Sequence, residues 1–499
     1  MTVFWGDETL SETLDRIGIP PALRPREVNE QVAYDIGRFE FGRELLQKEL
    51  HLRVRPVDWS DCPGFGAKHD LLVNRIRYAR ERGLLPLIRA HVGPYLPNRK
   101  RAVELYLDWC RTLARAGLLD VLSIGTSQLS QSNFGEEWGS EPNGGGVPIN
   151  SPAEFIAVRE ASRPMLLRTY AGTNRMPELA RMYEETINIA WHAFSLWWFC
   201  AMDGRGPLSV RENLRMQLET LRVVADSGKP YEPNTSHHFA FRGADDVTFI
   251  VSAVLAARVA KRAGVRHLVL QNMLNTPRYT WGVQDLAKSR ALLTLVRELE
   301  DERFKVLLQP RAGLDFFSHD PEKSKIQLAA VTALMDDIEP HDPASPCIIH
   351  VVSYSEGSHL AEPHVVNESI QITRAALMEY RRQRDLGLVE DMSRNPDVLS
   401  RTEELLSDAR TVLGVIERHI HQPYSAQGLY NILAGGFLPI PYLWECRGEF
   451  QRAVGWRSRV FKGSVRIIDD DGRPISVQQR MDRTVELLHR DHRVSGHPE

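Results

Sequence analysis

Paired cysteines, long apolar runs and a large net charge are all missing from this sequence of 499 residues. The five cysteines are scattered and form no Cys-x-x-Cys pair, so we expect reduced thiols in a cytoplasmic protein, and neither a disulfide framework nor a zinc site. Apolar runs such as Ile187–Cys200 are too short and too interrupted to span a membrane. The formal net charge of −3 gives no field that would favour nucleic acid or a membrane surface. The N-terminus lacks the basic start and apolar core of a secretory signal.

The sequence does contain a regular alternation of two patterns. Eight short apolar runs, from Leu85–Val92 to Cys347–Tyr354, alternate with amphipathic stretches of helical length. Because parallel strands need crossover connections, this alternation predicts a parallel sheet. Eight such units in about 280 residues match the size of a closed barrel. The predicted fold class is therefore α/β, a (β/α)8 TIM barrel, and a doubly wound open sheet is the alternative that the strand count leaves open.

Two extensions flank the predicted barrel. We expect residues 1–80 to form an N-terminal helical extension, residues 81–385 the barrel, and residues 386–499 a C-terminal helical and α+β extension. Within the last region, Pro396–Ile420 is predicted as a long surface helix. Val465–Arg490 is predicted as a short strand, a turn at Asp470–Gly472 and a helix.

Polar side chains follow seven of the eight predicted strands. Active-site groups of a TIM barrel sit at the carboxyl ends of its strands, so these residues are predicted to line one functional mouth. They include Arg89, His91, Gln128, Arg168, His237, His238, Asn272, Arg311 and Glu356.

Several of these strand ends, taken in order, resemble one known family. The segments concerned are Leu87–Gly93, Leu167–Thr173, Met176–Met182, Tyr354–Gly357 and Gly436–Pro441. They are similar to the barrel subunits of class III adenosylcobalamin-dependent mutases, which include the glutamate mutase epsilon subunit and the lysine 5,6-aminomutase alpha subunit. The resemblance extends over roughly residues 65–490.

Departures from the family pattern bear on the substrate and on the cofactor. Ser127–Asn133 contains no counterpart of the third substrate arginine of glutamate mutase, and Trp191–Trp198 replaces its strand-four glutamate and tyrosines. No lysine near Val352 matches the one on its strand eight. Three arginines suit two carboxylates, so losing one argues against glutamate as the substrate. The DxHxxG cobalamin motif is missing too, and the nearest match, Asp491-His492, has the wrong spacing.

The resemblance implies an adenosylcobalamin-dependent isomerase that moves a carbon fragment or an amino group between adjacent carbons of an amino acid or related carboxylate. It also implies a separate small cobalamin-binding subunit with a DxHxxG motif, in a hetero-oligomer such as a dimer of heterodimers. Aminomutases of the family use pyridoxal phosphate, whose lysine in the lysine enzyme lies on the partner, so this requirement stays open. The alternatives are a cobalamin-free barrel lyase or aldolase, and a non-catalytic barrel scaffold.

The resemblance also implies roles for individual residues. Arg89 and Arg168 are predicted to grip a substrate carboxylate bidentately, with a structural ion pair at a strand end as the alternative. His192, His237 and His238 are predicted to steer the substrate or transfer protons, although core histidines are often only hydrogen-bonded. Glu356 is predicted to accept hydrogen bonds from the adenosyl ribose, with a helix-start carboxylate as the alternative.

The remaining candidates follow from their positions near strand ends. Those predicted to bind substrate are Gln128, Asn272, Arg311 and Trp191; those predicted to bind cofactor, beside Glu356, are Tyr354, Gly125 and Thr126. Packing between strand four and its helix is the alternative for Trp191 and the aromatic residues after it. No metal site is predicted, because the spacing of His91, His237 and His238 matches no standard ligand set.

Overall fold

The structure is a computed structural model that describes residues 30–494, so the predictions for residues 1–29 and 495–499 lie outside the described residues. Eight parallel strands form its centre. They are β1 (Leu87–Val92), β2 (Val121–Ile124), β3 (Leu166–Arg168), β4 (His192–Phe194), β5 (Tyr231–Pro233), β6 (His267–Leu274), β7 (Lys305–Ala312) and β8 (Ile348–Val351).

The strands close into a barrel. They are hydrogen-bonded in the order β3-β2-β1-β8-β7-β6-β5-β4. A parallel bridge between Tyr170 and Ala193 then joins the two end strands, and the Ala171 amide donates to the Ala193 carbonyl at 3.0 Å. The predicted (β/α)8 TIM barrel is confirmed. The open sheet is wrong, because that bridge joins the two edges that an open sheet would leave unpaired.

Helices surround the barrel and continue beyond it. They are α1 (Glu30–Gln47), α2 (Leu72–Glu81), α3 (Arg99–Ala116), α4 (Gln128–Ser132), α5 (Pro152–Ser162), α6 (Met176–Ile187), α7 (Val210–Ser227), α8 (Ser236–Ala240), α9 (Asp246–Arg262), α10 (Gly282–Arg297), α11 (Pro321–Asp336), α12 (Pro363–Asp385), α13 (Pro396–His419), α14 (Ala426–Ala434), α15 (Gln451–Val454) and α16 (Val477–Val494). Within residues 30–494, none of them combines the length and the apolar character that crossing a bilayer requires.

Local chemistry explains where the barrel helices start and stop. The Asn98 side chain accepts from the Arg101 amide at 3.0 Å at the start of α3, and Gly117 ends that helix with φ 66°. Ser209 and Glu212 form a capping box at the start of α7. Such caps satisfy backbone groups that the first and last turns leave free. They fix the strand-to-helix loops that shape the mouth.

The lower end of the barrel is closed by apolar side chains. Alternation along the strands turns Leu87, Val121, Val269 and Ile348 inward, where they share one cluster with Leu72 and Ile76 of α2, among others. Above this plug the inward positions become polar. These polar positions therefore lie toward the carboxyl ends of the strands, where TIM barrels have their active sites.

The C-terminal extension packs against the barrel helices. Helix α13 lies on α9 and α10, and two antiparallel strands, β9 (Arg457–Phe461) and β10 (Ser464–Ile468), form a hairpin. Arg480 of α16 donates to both carboxylate oxygens of Asp245, each at 2.9 Å. Asp245 is the residue that caps α9, so the ion pair fixes the extension to the barrel.

Candidate active site

A buried carboxylate, Glu232 on β5, occupies the centre of the barrel. Arg89 of β1 donates to its Oε1 at 3.3 Å. Arg168 of β3 donates to its Oε2 through Nε at 3.1 Å and Nη2 at 2.9 Å. Trp191 donates its indole N–H to the same Oε2. The structure thus brings both predicted arginines and Trp191 together, with the arginines in the structural ion pair that was their alternative.

Neutral side chains complete this layer. The Ser123 hydroxyl accepts from Arg89 at 3.2 Å and from Arg168 at 3.3 Å. The Oε1 atoms of Gln271 and Gln309 accept from Arg89 at 3.4 and 3.3 Å. Such dense pairing is what a buried charge needs to remain ionised. We refer to Arg89, Arg168 and Glu232 below as the triad.

The triad has shifted pKa values. Burial opposes ionisation of Glu232, but the charges of Arg168 and Arg89 outweigh it and lower the pKa of Glu232 to about 2. Burial and the charge of Arg168 lower the pKa of Arg89 to about 9. At neutral pH two cations therefore face one carboxylate, which leaves the triad positively charged.

The next layer toward the mouth contains Arg311 and His91, and His350 connects it to the triad because His350 is also paired in register with Arg89. Arg311 of β7 is paired in register with His350 of β8, so their side chains lie side by side on the inner face. Neither ring nitrogen of His350 has a hydrogen-bond partner. Burial and the charge of Arg89 hold the pKa of His350 well below its ordinary value. The same two influences lower the pKa of His91 to about 3, and both imidazoles are neutral at pH 7.

Two more histidines lie on α8, the short helix after β5. His237 Nδ1 is 3.1 Å from the Gln271 amide nitrogen, which links it to the triad layer. The ring of His238 lies 4.2 Å from that of His237, and its Nδ1 is 3.2 Å from Arg205 Nη2. Arg205 is itself paired with Asp203 at 2.6 Å. Among residues 30–494, no three His, Cys, Asp or Glu side chains are grouped as a metal site requires.

Glu356 projects from the loop after β8 beside this upper layer. It is half-buried, and its Oε2 has no hydrogen-bond partner. Burial raises the pKa of Glu356, while the charge of Arg311 opposes that rise. A carboxylate oxygen without a donor, at the mouth of a barrel, suits a ligand that carries hydroxyl groups.

Other predicted residues face away from the interior. His192 Nε2 is 2.7 Å from Glu184 of α6, so its ring packs in the helix layer. The Tyr354 hydroxyl donates to Glu368 of α12 at 2.6 Å, which also turns it outward. Strand alternation places Asn272 on the outer face, where neither of its amide atoms has a partner. Gln128 is exposed at the start of α4 and donates to Ser132 at 2.7 Å.

Gly125 and Thr126 lie at the top of β2, next to the interior histidine layer. A Cβ at Gly125 would be 2.8 Å from Nε2 of His91 and 3.0 Å from the Val92 carbonyl. Gly125 therefore makes room for the His91 ring. The Thr126 carbonyl accepts from the Gln131 side chain at 3.1 Å.

The sequence reasoning missed Glu232 and His350, which are central to the observed site. The usable signal for Glu232 was a carboxylate inside the short run Tyr231–Pro233, at a position where a core strand ordinarily has an apolar side chain. His350 offered a similar signal, one polar residue within Ile348–Val351. Polar residues inside strands, and not only beyond their ends, identify the polar layers of this barrel.

Comparisons with known proteins return only low structural similarity. No protein-family model matches the chain, and no curated protein matches it significantly. A spore coat polysaccharide biosynthesis protein from Bacillus subtilis is 12% identical over 61% of this chain and 70% of its own, with a TM-score of 0.34. Dihydrodipicolinate synthase from Agrobacterium tumefaciens is 11% identical over 81% and 98%, with a TM-score of 0.31. The carboxyl transferase domain of Rhizobium etli pyruvate carboxylase is 12% identical over 82% and 76%, with a TM-score of 0.31. These values assign the chain no function.

Proposed function

We propose that this chain is the catalytic subunit of an adenosylcobalamin-dependent radical mutase, which rearranges an amino acid or related carboxylate. One observation carries the proposal: the strand ends that resemble the mutase barrels surround a buried cationic layer at the carboxyl ends of the strands. The positive charge of the triad and of Arg311 suits an anionic substrate. The cobalamin would come from a separate small subunit with a DxHxxG motif.

The residues at the mouth fit the adenosyl group of this cofactor. Glu356 offers a carboxylate oxygen without a donor, and the buried hydroxyls of Ser353 and Ser355 also have no partner. These are the groups that would hold ribose hydroxyls. When bound, adenosylcobalamin supplies the organic radical that starts the rearrangement. Tyr354 does not fit this role, because its hydroxyl is bound to Glu368.

The chain's own contribution is to bind and orient the substrate and to shield it from water. The apolar plug keeps water from entering through the lower end, and a partner seated on the mouth would shield the upper end. Radical chemistry benefits from such exclusion, because it suppresses side reactions. The triad forms a rigid floor, since each of its charges is fixed by several hydrogen bonds. A substrate resting on that floor is held in one orientation.

Partner binding tests this proposal. The purified chain is titrated by calorimetry with a small DxHxxG-bearing protein from the same source, with adenosylcobalamin, with hydroxocobalamin and without cobalamin. We expect association that the adenosyl form strengthens more than the hydroxo form, because only the former carries the ribose that Glu356 would bind. Amino acids that then give a radical signal in paramagnetic resonance spectra would identify the substrate.

Two results would contradict the proposal. If the chain binds no such protein under any of the three conditions, the two-component mutase is wrong. If the isolated chain turns over a substrate without cobalamin, the chain is a barrel lyase or aldolase. If the chain neither turns over a substrate nor associates with such a protein, a non-catalytic barrel scaffold is the alternative that remains.

A further inference from the structure

Arg311 differs from the other interior arginines in its lack of partners. It is 8% exposed, and its one hydrogen bond joins its own Nε to the Ala312 carbonyl at 3.1 Å. No carboxylate of the described residues lies within 4.0 Å of its guanidinium nitrogens. Arg89 and Arg168, by contrast, are both bound to Glu232. Glu356 is the carboxylate whose charge acts most strongly on Arg311, but the two form no ion pair. A buried guanidinium without an ion pair is unfavourable, so it indicates a place for an anion.

His350 is the second, independent observation. It is 1% exposed, faces the interior next to Arg311, and has no partner for either ring nitrogen. Buried imidazoles in folded proteins are ordinarily hydrogen-bonded. One ring nitrogen of a neutral imidazole is a donor. His350 can therefore share an anion's oxygen atoms with Arg311.

The charge balance of the interior agrees with an anion at this place. Three arginines, Arg89, Arg168 and Arg311, face two carboxylates, Glu232 and Glu356, and burial together with these arginines keeps the histidines of the layer neutral. One positive charge is left over in a region of low dielectric constant. A singly charged anion would neutralise it.

We propose that Arg311 and His350 form a carboxylate-binding subsite next to the triad, whose arginines stay bound to Glu232. Guanidinium presents two parallel N–H groups that match the two oxygens of a carboxylate. A single free guanidinium fits one such group, which is what an amino acid offers. The proposal depends on the proposed function only in calling this carboxylate the substrate's, because anion binding needs neither cobalamin nor a partner.

Calorimetric titration of the intact chain with succinate tests the subsite, with uncharged succinamide and inorganic phosphate as comparison probes. We expect succinate to bind, succinamide not to bind, and phosphate to bind more weakly than succinate. Arg311→Gln should weaken succinate binding by at least about tenfold, because the charge-assisted pair is lost. Arg311→Lys should retain part of the succinate affinity, because the positive charge is kept. The matched control is Arg278→Gln, an exposed arginine in the loop after β6, which should bind succinate like the wild type.

A second measurement keeps the test valid if a variant binds nothing. Without ligand, the melting temperature of Arg311→Gln should equal or exceed that of the wild type, because a buried cation that forms no ion pair is removed. A variant that melts lower shows that Arg311 is structural and overturns the subsite. Unchanged succinate affinity in Arg311→Gln, or no succinate binding by the wild type, overturns it as well.

The two proposals can fail separately. Succinate binding through Arg311, without cobalamin-dependent partner association, would support the subsite and contradict the mutase. Cobalamin-dependent association by both wild type and Arg311→Gln, with equal succinate affinities, would support the mutase and contradict the subsite. If phosphate binds more tightly than succinate, the site is a phosphate site and the proposed carboxylate-binding subsite is wrong.

Discussion

Glu232 holds two arginines in the same plane of the barrel interior, so its charge is the first residue-scale property to test. Glu232→Gln keeps the side-chain shape but leaves two buried guanidinium groups without a carboxylate. We expect the free energy of unfolding to fall by about 3–5 kcal/mol, the usual cost of removing one partner of a buried pair. Denaturant titration of both proteins at neutral pH measures this difference.

The matched control for that variant is Glu298→Gln. Glu298 pairs with Arg410 at 2.6 Å, but both side chains are about half exposed. An exposed ion pair contributes little, so this variant should stay within about 0.5 kcal/mol of the wild type. Equal losses in the two variants would show that Glu232 is no more important than a surface carboxylate.

The same carboxylate sets a pH dependence. The pKa of Glu232 is lowered in the fold from 4.5 to about 2. A group with a depressed folded pKa stabilises the protein fully above its unfolded pKa, and that contribution is lost as the pH falls through the folded value. Between pH 4.5 and 2, wild-type stability should therefore decline more steeply than that of Glu232→Gln. Parallel curves for the two proteins would assign the acid sensitivity to other groups.

Gly125 supports the histidine layer by leaving space. In Gly125→Ala the new methyl group would be 2.8 Å from His91 Nε2, so the ring must move. We expect a loss of about 1–3 kcal/mol in unfolding free energy, as for other overpacked interiors. Gly145→Ala is the control, since nothing lies within 4 Å of a Cβ there. If both variants are as stable as the wild type, the His91 ring can move without loss of packing and Gly125 is not needed to make space for it.

At the scale of elements, sequence patterns predicted where the barrel strands occur better than they predicted how long each strand is. The fourth of the eight apolar runs, Ile187–Phe194, predicts one strand, but α6 continues to Ile187 and Asn188 follows with φ 45°. Only His192–Phe194 forms a strand, since Asn188 ends the helix in the left-handed region and the strand begins four residues later. Strand β9 was missed since its residues are largely exposed and lack an apolar face. Helix α13, amphipathic and capped by Asn395, agrees with the prediction to within one residue.

The attachment of α16 to the barrel can be tested through one ion pair. Arg480→Ala leaves Asp245, which is 5% exposed, without its cation. We expect a loss of about 3–5 kcal/mol in unfolding free energy, and faster hydrogen exchange in α16 than in α13. Arg490→Ala, an exposed position on the same helix, should change neither. Equal exchange rates in α16 of the wild type and Arg480→Ala would show that apolar packing alone holds the helix.

The whole molecule explains why sequence reasoning found the arginines but not their partner. Arg89 and Glu232 are 143 positions apart and lie on strands that face each other across the barrel. Their contact exists only because the sheet closes, which depends on the register of all eight strands. Spacing along the chain cannot reveal such a pair. Position beside a strand end was a partial guide: it led to Arg89, Arg168 and Arg311 in the interior, but also to Asn272 and Tyr354, which face outward.

Closure also places Glu356 and Arg311 at one mouth, so cofactor and substrate binding can be separated there. If Glu356 receives the adenosyl ribose, Glu356→Gln should reduce the strengthening of partner association by adenosylcobalamin about tenfold, since a charged acceptor is lost. Association without cobalamin should not change, because the partner's protein surface is the same. Glu137→Gln, an exposed carboxylate in the loop after β2, is the control and should behave like the wild type.

The ratio of the partner affinities with and without adenosylcobalamin measures the effect. An unchanged ratio in Glu356→Gln would mean that the ribose is held elsewhere, while association itself still decides whether the chain is a mutase subunit.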